Sequence, residues 1–544
     1  MRKIVLSIFL IFIIFFISCR HKDTYKLKDK YTDTPAYGDA IITASIGEPA
    51  TLNPVLASDS ASHNITGLVF NGLVKFDKDL NIIGDLAEKW DILDNGKVII
   101  FYLKKGVKWH DGVEFTAKDV KFTYDSFMNP MTKTAYRSLF EPIKSVEIID
   151  DYKIKVTYKY VFAPALQYWG TEIIPYHLLH DKDINTAEFN RKPIGTGPYR
   201  FLRWITADRI ELIANENYFD GKPYIAKYIY RIIPDQSVQF MEMISGGIDT
   251  MELNSELYTT RAETDKFKKN FNKFKITGFS YVYFGFNLQN ELFKDKKVRK
   301  AINYAINKDE IIQGVKKGLA VRTTGPYIPG TWAYNTEPDV EKYDYDPEKA
   351  KKLLADAGWV LGKDGILYKQ GKKFEFTIIT NQGNKEREEI ATIIQQQLLK
   401  IGIKAEIRIL AWNILITEFI DKKKFDAIVL GWGTGLDPDN YDTWHSSKTK
   451  EGEFNFISYK NSEVDRLLIE GRTTFDIKKR AAAYKRIHKI IADDSPYVFL
   501  YSPYGLPAVH KRFHGIVPAP AGISYNFTKW YVPQELIKYK FLDK

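Results

Sequence analysis

Residues 374–432 read FEFTIITNQGNKEREEIATIIQQQLLKIGIKAEIRILAWNILITEFIDKKKFDAIVLGW, and the spacing of their apolar side chains alternates between two periods. Residues 374–380 are rich in β-branched and aromatic side chains, which predicts a strand. Past a turn at Gly383, Ile390, Ile393, Ile394 and Leu398 recur at helical spacing until Gly402 ends the helix. Ala405, Ile407 and Ile409 then alternate with Glu406 and Arg408 as a half-buried strand does, a second helix starts near Trp412, and residues 425–430 form a third, apolar strand. Such a β-α-β-α-β unit closes right-handed with parallel strands, and ligands bind in the crevice beyond their carboxyl ends.

The loop after the third strand therefore holds the candidate ligand-binding residues: Trp432, Gly433, Thr434, Gly435, Asp437 and Asp439, joined by Trp412 from the second helix. Glycines let a backbone approach a ligand closely, and an indole offers a broad apolar wall with one donor. The loop is read either as the lip of a cleft or as an ordinary strand-to-loop turn with Trp432 in the core. Elsewhere in this half, Asp346 and Pro347 open a helix carrying Ala350, Leu353, Leu354 and Ala357, and Asp295 precedes Val298, Ile302, Ala305 and Ile306. Both apolar faces are packing surfaces by their spacing.

The amino terminus speaks to compartment. Arg2 and Lys3 precede an apolar run over residues 4–17, broken only by Ser7 and shorter than the roughly 20 residues of a membrane-spanning helix. Ser18 and Cys19 close it, and residues 16–19 (FISC) resemble a bacterial lipobox, with Phe16 in place of the usual leucine. Residues 1–18 are thus expected to be a signal peptide, Cys19 the lipidated residue, and polar, lysine-rich residues 19–37 a flexible tether. Cys19 is the only cysteine among 544 residues, so no disulfide forms within the chain and its core must hold it. The net charge of +11 comes from lysines scattered among acids, which argues against nucleic-acid binding.

Residues 48–54 (EPATLNP), 71–77 (NGLVKFD), 85–90 (DLAEKW), 105–125 (KGVKWHDGVEFTAKDVKFTYD), 193–201 (PIGTGPYRF), 217–221 (NYFDG), 297–312 (KVRKAINYAINKDEII), 345–359 (YDPEKAKKLLADAGW) and 425–440 resemble, in order, the signatures of family 5 extracellular solute-binding proteins. These are the dipeptide- and oligopeptide-binding components of ABC importers. The resemblance implies an α/β, two-lobed, type II periplasmic-binding-protein-like fold with an extra α+β domain inserted in the N-terminal lobe. Mapped here, residues 38–65, 193–285 and 502–544 make lobe I, 66–192 the extra domain, and 286–501 lobe II. It also implies a monomeric, lipid-anchored, extracytoplasmic protein that closes on a short peptide and hands it to permease subunits, with no cofactor and no catalytic residue. Gly195 and Gly197, between prolines, read as a sharp crossing between lobes, and His110 as a turn residue or a ligand contact.

This sequence departs from the well-known peptide binders at one position. Where they carry an aspartate for the peptide's α-amino group, three residues past the cleft tryptophan, this chain has Gly435. Asp437 or Asp439 is the expected replacement. A nickel complex, haem or an oligosaccharide is the alternative cargo, and His445 is the only histidine near the loop. A secreted enzyme is the remoter class: His177 with His180 and His510 with His514 have ligand-like spacing, but the sequence contains no HExxH, GxSxG or Walker motif.

Overall fold

The computed structural model describes residues 33–540. The quoted stretch folds as three parallel strands, but chain order does not become spatial order. Glu375–Asn381 is central, pairing with Lys404–Leu410 on one side and Ala427–Gly433 on the other. The helix Lys385–Leu399 starts where the Asn384 side chain accepts from the Arg387 amide, and it buries Ile390, Ala391, Ile394 and Leu398 against the sheet. The second helix is short: Trp412–Ile414 runs directly into a π-helical turn, Leu415–Ile420. Two antiparallel strands, Ser280–Phe286 and Tyr497–Gly505, extend this sheet beyond Ala427–Gly433.

A second seven-stranded sheet is ordered Phe271–Lys273, Pro507–His510, Thr250–Glu252, Gly38–Ser45, Ile225–Ile232, Arg209–Ala214, Tyr199–Ile205. Between the first and last parts of its sequence lies a four-stranded antiparallel sheet, Ala87–Leu93, Val98–Leu103, Lys153–Tyr158 and Ile143–Asp150, with the helix Ala117–Met128. That helix begins with a complete capping box. The Thr116 side chain caps the first turn, and the Thr116 amide donates to Asp119 at 2.8 Å. Phe101, Trp109, Phe140 and Trp169 are buried in the core that this body shares with the neighbouring sheet.

Two strand pairs carry the chain between the seven-stranded sheets. Phe271–Lys273 pairs with Pro507–His510 in one sheet, and Ile276–Thr277 pairs with Tyr504 and Gly505 at the edge of the other. The expected limits at residues 285 and 502 therefore run through strands: Ser280–Phe286 and Tyr497–Gly505 pair with each other and with Ala427–Gly433. Residues 193–201 are not the interlobe crossing. Gly195 and Gly197 lie against Val69, where a Cβ on Gly195 would stand 1.8 Å from the Val69 carbonyl oxygen. They bring the chain from the four-stranded body back to the strand Tyr199–Ile205. His110 pins that return, accepting the Gly195 amide at Nδ1 (3.1 Å) and donating from Nε2 to the Gly197 carbonyl at 3.0 Å.

The expected tether also ends early. Pro35–Ala36 pairs with Val532–Pro533, and Asp33 accepts from the Tyr531 hydroxyl at 2.9 Å, so residues 33–37 belong to the body. The signal peptide and Cys19 lie outside the described residues.

Candidate ligand-binding cleft

A cavity of about 420 Å³ lies where the three sheet-based bodies meet. Ser58, Asp59, Ser60 and His63 line it from the first lobe, Tyr136, Leu139, Gln167 and Tyr168 from the inserted body, and the loop after Ala427–Gly433 from the second lobe. The wall is thus assembled from segments hundreds of residues apart. Trp432 to Asn440 all line it, and so does Trp412. All seven candidate residues are brought to one cavity.

Their roles differ. Trp432 is half-buried, packs against Phe454 and Phe456 with ring centroids 5.5 and 5.6 Å away, and donates its indole N–H to the Tyr497 hydroxyl at 3.2 Å. It is a cleft wall propped by the core. Trp412 reaches across the cleft: its Nε1 donates to Asp59 Oδ1 at 3.1 Å, and its ring packs against Gly47, where a Cβ would come within 2.7 Å of the indole. Asp59 itself caps the helix Ser60–Val69, accepting from the Ser62 amide at 3.1 Å and the Ser62 hydroxyl at 2.5 Å. The helix start and the lobe contact share one carboxylate.

The expected ammonium partners are already engaged. Asp437 takes Arg480 through both oxygens, at 2.6 and 2.8 Å, and its amide donates to Gln167 at 3.1 Å. Asp439 accepts from Arg472 Nε at 3.1 Å and Nη2 at 2.8 Å, and from the Tyr168 hydroxyl at 2.9 Å. The Arg472 and Asp439 side chains are 4% and 0% exposed, so this ion pair is inside the protein. Burial pushes the Asp437 carboxyl up, and the Arg480 guanidinium opposes the shift. Gly435 leaves room that Gln167 fills, with the Gln167 Nε2 atom 3.0 Å from where a Cβ would stand.

Three other aspartates, Asp59, Asp421 and Asp442, stand in the wall without a signal in the sequence. Asp59 is bonded only to neutral donors. Asp421, directly after the π-helical turn, has its carboxyl pushed up to about 6, by burial first and then by the nearby charge of Asp59. Asp442 is likewise raised to about 6 by burial, and accepts from the Ser138 hydroxyl. No local pattern distinguishes these from ordinary cap and turn aspartates. The histidine in the cavity is His63, bonded to the Tyr136 hydroxyl at 3.0 Å, rather than His445, which turns to Ser447. Among the described residues no group of three or more His, Cys, Asp or Glu side chains is placed to hold a metal ion.

Comparison with known proteins agrees with this geometry. Residues 81–453 match the family model described as bacterial extracellular solute-binding proteins, family 5 Middle. The chain belongs to family 5 of these solute-binding proteins. The oligopeptide-binding protein AppA of Bacillus subtilis is 38% identical to this family 5 chain over 541 residues, 97% of this chain and 98% of AppA. The structure of that protein with a nonapeptide superposes with a TM-score of 0.88, covering 92% of this chain and all of the other. NikZ of Campylobacter jejuni, solved with Ni(L-His), gives 0.82 at 32% identity, covering 91% and 99%. The heme-binding protein A of Haemophilus influenzae is 30% identical over 507 residues, 87% of this chain and 89% of that protein. The fold of the family 5 chain is accordingly the two-lobed, type II periplasmic-binding-protein-like one. No helix among its described residues is long and apolar enough to cross a membrane.

Proposed function

We propose that this protein captures short peptides in the interlobe cleft and delivers them to the permease of an ABC importer, held at the membrane by a lipid on Cys19. The observation that carries the reading is the cavity built from both lobes and bridged by the Trp412–Asp59 hydrogen bond. A cleft of this kind gains its grip only when shut, because ligand and interlobe contacts then form together. The nonapeptide in the similar AppA structure supports a peptide as cargo. The loop after Trp432 and the indole of Trp412 would form the walls, while Asp437 and Asp439 hold that loop in shape through their arginines. Binding and release are the chemistry proposed.

A nickel complex is the second reading, supported by the likeness to NikZ with Ni(L-His) and by His63 in the wall. The described residues supply no metal-binding cluster, so such a complex would arrive with its own ligands. Native mass spectrometry of protein purified without refolding, then calorimetry with the released ligand, tests both readings. Recovery of a peptide, with a smaller radius of gyration on binding, is the expected result. An empty cleft that ignores peptides and takes a metal chelate would replace the first reading by the second. The anchor is tested by Cys19→Ser, which should release the protein from the membrane fraction.

A further inference from the structure

The sheet of the first lobe has two ends, and strand direction sorts the side chains between them. Gly38–Ser45 runs toward the cleft, where Gly47 packs on Trp412. Ile225–Ile232 is parallel to it with Ile225 opposite Gly38, so the segment before Ile225 lies at the far end. Pro507–His510 runs the other way and His510 pairs with Phe271, which brings Lys511 and the end of the short helix Asp265–Asn270 to the same place. The carboxyl-terminal segment closes this end, the Lys538 and Tyr539 amides donating to Asp39 at 3.1 and 3.0 Å. At about 3.3 Å per strand residue, the far end stands about 25 Å from the cleft.

Three exposed lysines gathered there have no carboxylate partner among the described residues. Lys511 donates to the Lys268 carbonyl, Lys529 to the Asp220 carbonyl at 3.4 Å, and Lys538 to the Gly246 carbonyl at 2.6 Å. The nearby acids are mostly spent: Asp39 and Asp249 on Arg512, Glu216 on Lys222, and Asp220 on Lys75. Asp33 and Glu535 remain as exposed acids. A second observation is aromatic. Tyr37, 56% exposed, stacks on Tyr224 with centroids 4.7 Å apart, Tyr224 meets Tyr531 edge-on at 6.0 Å, and Lys222 lies over the Tyr37 ring at 5.2 Å. Tyrosine and lysine are side chains that settle at the headgroup level of a bilayer, ring in the boundary and ammonium toward phosphate. A third is where the chain enters. The amino-terminal segment joins the body at this end, through the pairing of Pro35–Ala36 with Val532–Pro533, and residues 19–32 before it carry five Lys or Arg against two Asp.

We infer that this tyrosine–lysine rim of the first lobe docks on the anionic surface of a lipid bilayer, so that the cleft is held clear of the headgroups and open to solutes. The inference rests on the lipid-anchor reading, under which a flexible coil over residues 19–32 keeps the rim within about 20 Å of the bilayer. Each lysine near an anionic surface adds an attraction that salt screens within about 10 Å, and the lysine-rich segment adds its own. The second lobe closes at the opposite end of the sheet, so a docked protein can still shut on its ligand.

The test is co-sedimentation of residues 19–544 carrying Cys19→Ser, which contain the whole described body and no lipid. The vesicles are phosphatidylglycerol and phosphatidylcholine in equal parts, or phosphatidylcholine alone. Binding is expected to the first only, with release as salt rises from about 0.1 to about 1 M. Lys511→Gln, Lys529→Gln and Lys538→Gln together, each keeping a donor for its carbonyl, should weaken binding by tenfold or more, and Tyr37→Ser by a few-fold. Lys529→Gln alone, which gives up the longest of the measured carbonyl contacts, should cost about fivefold and serves where the triple variant is unstable in urea. Lys363→Gln, Lys400→Gln and Lys478→Gln together, exposed on the second lobe, should change binding by less than about twofold. No binding to anionic vesicles, equal binding to both kinds, or a stable rim variant that binds as its parent does would overturn the inference. So would equal weakening by the second-lobe set. Because the protein tested bears no lipid, the anchor reading is decided separately, by whether Cys19→Ser leaves the membrane fraction.

Discussion

Trp412 and Asp439 illustrate what single residues do in this cleft. Replacing Trp412 by phenylalanine keeps an aromatic ring but removes the N–H that meets Asp59 across the cleft. A hydrogen bond to a charged group contributes about 1.5–3 kcal/mol, so ligand affinity should fall by roughly 10–100-fold, read by calorimetry. The fold should hold, because the ring sits on the cleft surface rather than in the deep core. Arg472→Met has the opposite profile. It strands Asp439 as a buried unpaired carboxylate, and the expected cost is about 3–5 kcal/mol in urea unfolding. Neither aspartate following Trp432 could be assigned a partner from sequence, because Arg472 and Arg480 lie on distant helices, Ser462–Arg472 and Ile477–Asp494.

Secondary-structure elements were the most legible level. The helices opened by Asp295 and Asp346 start where expected, at Lys296–Ala305 and Pro347–Asp356, and the capping aspartates make the predicted bonds. Their caps and apolar spacings are local, so local reading suffices. The residues after 412 read as a helix; the structure makes that helix π-helical over Leu415–Ile420, and Ile416, Ile420 and Asp421 line the cavity. Crossings were less readable. Glycine and proline mark a tight passage in residues 193–201, but only packing says against what. Gly197→Ala should destabilise by about 1–3 kcal/mol in urea melts, since its Cβ would lie 2.5 Å from the Val69 carbonyl carbon. Arg512 joins the amino-terminal strand to the carboxyl-terminal segment, bonding Asp39 at 3.1 Å, Asp249 at 2.8 Å and the Ala40 carbonyl at 2.9 Å. Arg512→Ala should therefore cost more than its surface counterparts, about 3–5 kcal/mol, with loss of protection at Gly38–Ser45 in hydrogen exchange.

Across the whole molecule, buried imidazoles and buried carboxylates pull the pH dependence of stability in opposite directions. Burial holds His110 and His510 down to about 4 and His488 down to about 3. Each is neutral when folded and titrates near 6.5 when unfolded, so the unfolded chain binds more protons and stability falls as pH drops from about 6.5 toward 4. Asp421 and Asp442, raised to about 6, act the other way, their burden on the folded state easing as pH falls through 6 toward 3.8. Glu252, pushed up to about 7 by burial, joins them, so three raised carboxylates oppose three depressed imidazoles and the histidine share is read by difference. Between pH 7 and 4.5 the urea midpoint of His488→Gln should fall less, or rise more, than that of the unsubstituted protein. The His488 ring is bonded to Thr324 at 2.9 Å and to the Asn335 amide at 3.4 Å, contacts that a glutamine amide partly replaces.

Sequence by itself determined the β-α-β-α-β unit, the helix starts, the loop that lines the cavity, and through ordered signatures the family. All of these are written in periodicities and short motifs that act over a few residues. Tertiary structure alone decided which strand is central, where the chain crosses between lobes, and which carboxylates in the cleft remain without a cation. A charge is paired or bare according to what folds next to it, and Asp59, Asp421 and Asp442 acquire their surroundings from three different parts of the chain.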